Sequence, residues 1–204
     1  MQTTTWTKGK SYCIEDSLVI QEGHTLTIEE GVTVYLKPKA NIIVNGSIVV
    51  NGSIEKPVIF QSNRLEYEYQ QKPGQWGSII FNPTSGNNII SNATIKNGTN
   101  ALMLRRNMDR QLSLELENVK VENMSYSGLM CSNANIFSVN CVFADCDKYV
   151  LLLEEGGTYE FIHMTISNYH NPYSTRLTSS LSVRNAQKEQ NPVNPLSCFF
   201  KNSI

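Results

Sequence analysis

Two stretches concentrate the side chains that could bind or transform a ligand. Residues 62–76 carry Arg64, Glu66, Tyr67, Glu68, Tyr69, Gln70, Gln71, Lys72, Gln75 and Trp76. Residues 169–179 carry Tyr169, His170, Asn171, Tyr173, Thr175 and Arg176. Tyr126, Asp145 and Asp147 lie between them in the chain. Aromatic faces pack against the apolar faces of sugar rings, while Asn, Gln, Asp and Arg hydrogen-bond hydroxyls. The composition therefore suits a carbohydrate chain, held in a shallow groove with aromatic and Arg-bearing walls and an acidic floor. Candidate ligand-binding residues are Arg64, Tyr67, Tyr69, Trp76, Tyr126, Asp147, His170, Tyr173 and Arg176. Competing structural readings stand beside these. Trp76 immediately precedes a strand and would cover an edge. Arg64 and Arg176 would pair with Glu66 or Glu68 and pin the loops.

Catalytic constellations are thin. A glycosidase needs two carboxylates flanking one cleft at ~5–10 Å. No spacing joins Asp145 or Asp147 to Glu66 or Glu68 in that way. Asp145 and Asp147 would share a strand face, but Asp145 falls in a repeated corner. No G-x-S-x-G elbow or phosphate-cradling glycine loop occurs. His170 has no spaced His, Cys or Asp partner, and no CxxC cluster has zinc-like spacing. No metal or cofactor is expected.

The elements that must hold these loops are legible as a repeat. Five segments share one pattern of apolar, spacer, apolar, spacer, then Asn or Asp. They end at Asn97, Asn123, Asp145, Asn168 and Asn202. Their second apolar positions, Ile95, Val121, Phe143, Ile166 and Phe200, are separated by about 26, 22, 23 and 34 residues, intervals typical of a solenoid. The earlier runs, such as Thr25-Leu-Thr-Ile28, Asn41-Ile-Ile-Val44 and Ser47-Ile-Val-Val50, are short, β-branched and punctuated by Gly, Asn and Pro. No long segment shows a 3.6-residue period. The expectation is an all-β, single-stranded right-handed parallel β-helix of about 22 residues per coil, forming one domain over 1–204. An antiparallel sandwich is the alternative.

In a parallel coil, equivalent residues stack. Ile95, Val121, Phe143, Ile166 and Phe200 should form one interior ladder, and Ala93, Val119, Cys141, Met164 and Cys198 the next. The corner Asn or Asp suits a left-handed backbone, and stacked amides can bond along the ladder. Asn45-Gly46 and Asn51-Gly52 become corners, not hairpins. Both long stretches follow an equivalent strand and precede its equivalent partner. They should therefore project from one edge, about four coils or ~19 Å apart.

Bulk composition narrows the partners. Charged residues make up 17% of the 204-residue chain and the net charge is −1. No basic face invites nucleic acid, and no apolar stretch reaches the ~18 residues of a spanning helix. Five cysteines leave at least one unpaired. Cys141 and Cys198, at one repeat position two coils apart, would stand roughly 9–10 Å apart, beyond the ~7 Å limit for a disulfide.

The stretch Gly23-His-Thr-Leu-Thr-Ile-Glu-Glu-Gly31-Val32, then Val44-Asn-Gly-Ser and Glu55-Lys-Pro57-Val-Ile-Phe60, resembles the opening coils of bacterial right-handed parallel β-helix repeat proteins. Later segments, among them Pro73-Gly-Gln-Trp76-Gly and Gly156-Gly-Thr-Tyr-Glu-Phe161, resemble uncharacterised exported lipoproteins of the Bacteroides type. The resemblance implies the fold and a cell-envelope location, and no reaction. The chain shows no lipoprotein signal. It ends on Phe199-Phe200-Lys-Asn-Ser-Ile204, where an uncapped cross-section would invite end-to-end self-association or further coils. The functional expectation is a non-catalytic surface module binding glycan or another surface polymer through the two long loops. The alternatives are a structural or adhesive scaffold fragment and a carbohydrate-active lyase or hydrolase.

Overall fold

The computed structural model describes residues 2–105, 111–168, 177–185 and 194–204. The first nine strands are β1 (Thr4–Trp6), β2 (Ser11–Ile14), β3 (Ser17–Ile20), β4 (Thr25–Glu29), β5 (Thr33–Leu36), β6 (Asn41–Val44), β7 (Ser47–Asn51), β8 (Val58–Ser62) and β9 (Trp76–Phe81). Later strands run through corners: β10 (Asn88–Lys96), β11 (Gly98–Leu104), β12 (Leu112–Met124), β13 (Ser127–Val139), β14 (Val142–Cys146) and β15 (Tyr149–Ile162). β16 (Thr165–Ser167), β17 (Leu181–Arg184) and β18 (Leu196–Lys201) complete the series. Every pairing is parallel, as in Leu26↔Ile48, Val34↔Phe60 and Ile42↔Ile79. The chain therefore winds as a parallel β-solenoid of about seven turns with about 23 residues per turn.

Three faces result. Face A stacks β1, β4 and β7, then the first parts of β10 and β12, the second parts of β13 and β15, and β18. Face B stacks β2, β5 and β8, the second parts of β10 and β12, β14 and β16. Face C stacks β3, β6, β9 and β11, the first parts of β13 and β15, and β17. Alternate side chains point inward, so the core is a set of apolar columns. Ile42, Ile79, Leu102, Leu129 and Leu151 form one on face C, all fully buried. At the first coil Trp6 and Tyr12 stack with centroids 4.4 Å apart and cover the column ends.

The expected ladders form through four coils and then part company with the pattern. Ile95↔Val121, Val121↔Phe143 and Phe143↔Ile166 are in register, as are Ala93↔Val119. Phe200 and Cys198 are not members. They lie on face A, where Cys198 pairs with Tyr159 and Phe200 with Phe161. The reason is that faces A and B both end in left-handed corners. Asn92, Asn118, Asn140, His163 and Asn202 turn the A–B corner with φ between 51° and 54°. Asn97, Asn123 and Asp145 turn the B–C corner at φ 68°, 56° and 50°. An apolar-x-apolar-x-Asn motif fits either one. Asn168 does not share the positive φ; its amide instead bonds both backbone groups of Cys146, at 3.0 and 3.1 Å.

Asn45-Gly46 and Asn51-Gly52 do form corners. A Cβ on Gly46 would lie 2.1 Å from the carbonyl oxygen of His24 in the coil below, and one on Gly52 would lie 2.0 Å from that of Asn92 in the coil above. Only glycine allows such backbone approach. All five cysteines are free thiols; Cys131, Cys141 and Cys146 are buried. Burial pushes the Cys131 and Cys141 thiols up, so they behave as small hydrophobes.

Candidate functional site

The B–C corner carries the candidate residues. Both long stretches leave face B (β8 and β16) and re-enter face C (β9 and β17), and those strands are equivalent four coils apart. At ~4.8 Å per coil their roots are ~19 Å apart on one edge. Between them the corner is short, because a single αL Asn or Asp turns the chain.

The first loop, residues 63–75, is held by its own side chains and by the corner beneath. A 3₁₀ turn spans Tyr67–Tyr69. Arg64 Nε donates to Glu66 Oε1 at 3.1 Å, and its guanidinium carbon lies 3.9 Å from the Tyr69 ring centroid. Lys72 Nζ stands 5.2 Å from the same ring. The bond to Glu66 holds the Arg64 guanidinium above its ordinary range. The Glu66 carboxyl is held below its own, first by its backbone N–H and then by Arg64. Arg64 and Tyr69 thus shape the loop. Arg64 pairs with Glu66, as one of the competing readings has it.

Asn97 is the main anchor. Its side-chain Nδ2 donates to the carbonyls of Tyr69 and Gln70 at 3.1 and 2.8 Å. Gln75 Nε2 likewise donates to the carbonyls of Tyr69 and Lys72, both at 2.6 Å. These bonds fix each amide's orientation, since a reversed amide would set oxygen against oxygen. Among the described residues, Asn97 Oδ1, Gln75 Oε1 and Asn63 Oδ1 are buried and have no hydrogen-bond partner. An unpaired buried acceptor costs roughly 1–3 kcal/mol. Under the loop lies a cavity of about 310 Å³, walled by Gln61, Ser62, Lys96 and Asn97 from the strands and by Arg64, Leu65 and Gln70 from the loop.

Trp76 is 1% exposed, so its ring offers no face to a ligand. Its Nε1–H donates to the carbonyl of Lys96 at 2.8 Å. Gly98 lies against the ring, and a Cβ there would meet Trp76 Cε2 at 2.8 Å. The indole seals the solenoid edge where the loop returns. Tyr67, in contrast, is 89% exposed.

Further along the edge, Tyr126 stands beside Tyr149, with centroids 5.9 Å apart and planes tilted by 57°. Both are half-buried. Lys148 Nζ lies 4.9 Å from the Tyr126 centroid and Arg184 Cζ 6.0 Å from that of Tyr149. Arg184 also pairs with Glu154 at 2.8 Å. Composition and spacing alone do not single out Tyr149, Lys148 and Arg184. Their signal was present: Tyr149 follows Tyr126 by 23 residues, one coil. Recognising it required the register of β13 on β15. Asp147 follows the Asp145 corner, with its backbone N–H bonded to the Met124 carbonyl at 2.8 Å.

His170, Tyr173 and Arg176 lie outside the described residues. The second loop's returning end is described: Leu177 is 91% exposed, and Thr178 Oγ1 donates to the Lys148 carbonyl, tying that loop to the tyrosine pair. Of the other histidines, His163 turns a corner, and His24 Nδ1 accepts from the Thr3 backbone N–H at 3.1 Å. Among the described residues no group of three or more His, Cys, Asp or Glu side chains is arranged to hold a metal ion.

Comparison with curated proteins gave no match, and neither did comparison with solved structures. A family model described as a pectate-lyase-like beta helix domain matches residues 1–144. That span runs from the first strand into β14 and includes the whole first loop with its cavity. The chain belongs to the family of pectate-lyase-like β-helix domains.

Proposed function

We propose that this protein is a non-catalytic cell-surface module that binds a glycan along the B–C edge. The observation that carries the reading is the Tyr126–Tyr149 pair, flanked by Lys148 and Arg184, at the corner from which both long loops spring. Two tilted rings in successive coils offer a stepped apolar surface for sugar rings, and the flanking cations supply hydroxyl-bonding donors. Exposed Tyr67 extends the aromatic surface towards the first loop. A rigid coil stack presenting variable loops is the usual arrangement for placing function on a scaffold. In this reading the protein is exported and works at the cell envelope.

The test is a broad glycan array probed with the parent and with a Tyr126→Ala/Tyr149→Ala double variant. Glycan binding by the parent and its loss in the variant is the expected result. Equal binding by both would remove the edge from consideration.

One observation favours a second reading, a carbohydrate-active enzyme: the family description itself names a pectate lyase. Incubation with an acidic and neutral polysaccharide panel decides it. Unsaturated-uronate absorbance or new reducing ends would establish catalysis.

A further inference from the structure

We infer that the outer surface of face C is a self-association interface, on which a second copy of this chain packs. The inference stands apart from the glycan-binding reading and uses none of the residues proposed for it.

Face C differs from its neighbours in what it turns outward. On face A one outward column runs Glu115, Phe137, Glu160 and Phe199. On face B one runs Ile59, Thr94, Lys120 and Val142. On face C the outward column is Val19, Ile43, Ile80, Met103, Met130 and Leu152, each in register with the next. All are apolar, although the inward residues beside them, such as Ile42, Ile79 and Leu102, already fill the core. The strands therefore read as continuous apolar runs, as in Ile42-Ile-Val44 and Leu102-Met-Leu104. That is the pattern of a parallel sheet covered on both sides. At the upper end the chain itself supplies the cover, since Leu152 is 1% exposed. The rest of the column is more open: Val19 is 37% exposed, and Ile43, Ile80, Met103 and Met130 are half-buried.

Charge selects the occupant. β3, β6, β9, β11 and the first part of β13 contain no Asp, Glu, Lys or Arg. Beside the column stand neutral side chains, Ser17 and Asn41 on one side and Asn45 and Asn82 on the other. Asn82 Nδ2 donates to Asn45 Oδ1 at 2.7 Å. A copy of the same face therefore meets it without like-charge repulsion, apolar stripe on apolar stripe and polar rim on polar rim. Face A fails that test, with Glu29, Glu115, Glu117 and Glu160 against one cation, Lys201. From Val19 to Met130, at ~4.8 Å per coil, the stripe measures roughly 24 Å by 13 Å. Even with its rims it falls short of the ~800 Å² per partner of a standard interface, so the dimer should be reversible. A two-fold axis through the middle of the stripe sets Ile80 against its own mate.

The experiment is sedimentation equilibrium of the parent from about 10 μM to about 1 mM. Ile80→Glu, Ile80→Lys and Met103→Glu are run beside it, each a substitution at an outward position. Phe137→Glu, on the outer surface of face A, is the control. Unfolding midpoints near the parent's show that each variant is folded, and Met103→Glu keeps the test open if position 80 does not accept a charge.

The expected result is a monomer–dimer equilibrium for the parent. Each charged variant on face C should weaken it by about tenfold or more, because two like charges meet near the axis. An equal mixture of Ile80→Glu and Ile80→Lys should recover association that neither shows alone, since opposite charges then face each other. Phe137→Glu should dimerise as the parent does. A parent that stays monomeric throughout the range overturns the inference, whatever else binds face C. So does a dimer that survives all the face C variants, a mixture that stays monomeric, or a loss with Phe137→Glu as large as with Ile80→Glu.

Discussion

Two corners of this solenoid are made from the same residue in the same backbone conformation, and they do different things. At the A–B corner Asn92, Asn118 and Asn140 hold φ near 53°. There the amides serve the stack: Asn118 Nδ2 donates to Asn92 Oδ1 at 3.1 Å, and Asn92 Nδ2 donates to the Gly52 carbonyl at 3.0 Å. At the B–C corner Asn97 has φ 68°, but its amide leaves the ladder and grips the loop carbonyls of Tyr69 and Gln70. The difference is not in the corner residue. It lies in the thirteen residues inserted between β8 and β9, which place carbonyls within reach of Asn97 before the coil above can. A corner closed on itself is structural. A corner diverted to a neighbour holds a loop.

The largest effect that separates the corners should come from Trp76, which seals the B–C edge. Trp76→Ala removes a buried indole and strips the Lys96 carbonyl of its donor, so urea unfolding should show a loss of about 3–5 kcal/mol. A loss under 1 kcal/mol would mean that the edge is not sealed by packing.

Next come the corner asparagines. Asn118→Ala forces alanine into the left-handed region at about 1–2 kcal/mol and deletes a ladder bond worth about 0.5–1.5 kcal/mol. Global unfolding should report the sum. Asn118→Gly should recover most of the backbone part, isolating the amide. Asn97→Gly keeps the conformation and breaks both loop bonds. Its effect should be local, with hydrogen exchange in 63–75 accelerated by about 1–2 kcal/mol of opening energy, while the unfolding midpoint moves little. Equal global losses at the two corners would erase the proposed distinction.

The smallest effect is with pH. Glu66 has a folded-state pKa held below its unfolded value, first by its backbone N–H and then by Arg64. Its stabilising contribution is therefore fully present above the unfolded carboxylate value. It is lost as pH falls through the folded value. Limited proteolysis should cut the 63–75 loop faster at the acidic end of that window, with the A–B corner unaffected, since its ladder asparagines do not titrate. Glu66→Gln should abolish the pH dependence of cleavage. A loop whose cleavage rate ignores pH in the parent would show that the Arg64–Glu66 bond does not hold it.

Much of the scaffold was legible because period and face are local properties. Ile95, Val121, Phe143 and Ile166 could be aligned by interval alone, and the Asn-Gly pairs announced corners. The misplacement of Phe200 and Cys198 shows the limit. Asn202 closes an A strand, and the motif preceding it is shared by both faces. A finer signal separates them: Asn or His stands five residues before Asn97, Asn123, Asp145 and Asn168, whereas Ser197 stands there before Asn202. Trp76 illustrates a second limit, since an indole in a polar loop reads as a ligand face until Gly98 is seen lying against it.

What the sequence by itself determined is the parallel coil, its apolar columns, and the shared edge from which both long loops leave, because each follows from spacing that repeats along the chain. What only the tertiary structure decided is which side chains that edge leaves available. Trp76 turned inward, Arg64 was engaged by Glu66, Tyr149 joined Tyr126, and the Asn97 amide gripped the first loop. Those outcomes depend on contacts between residues of different coils and on competition for hydrogen bonds. Neither is encoded in the period of any one segment.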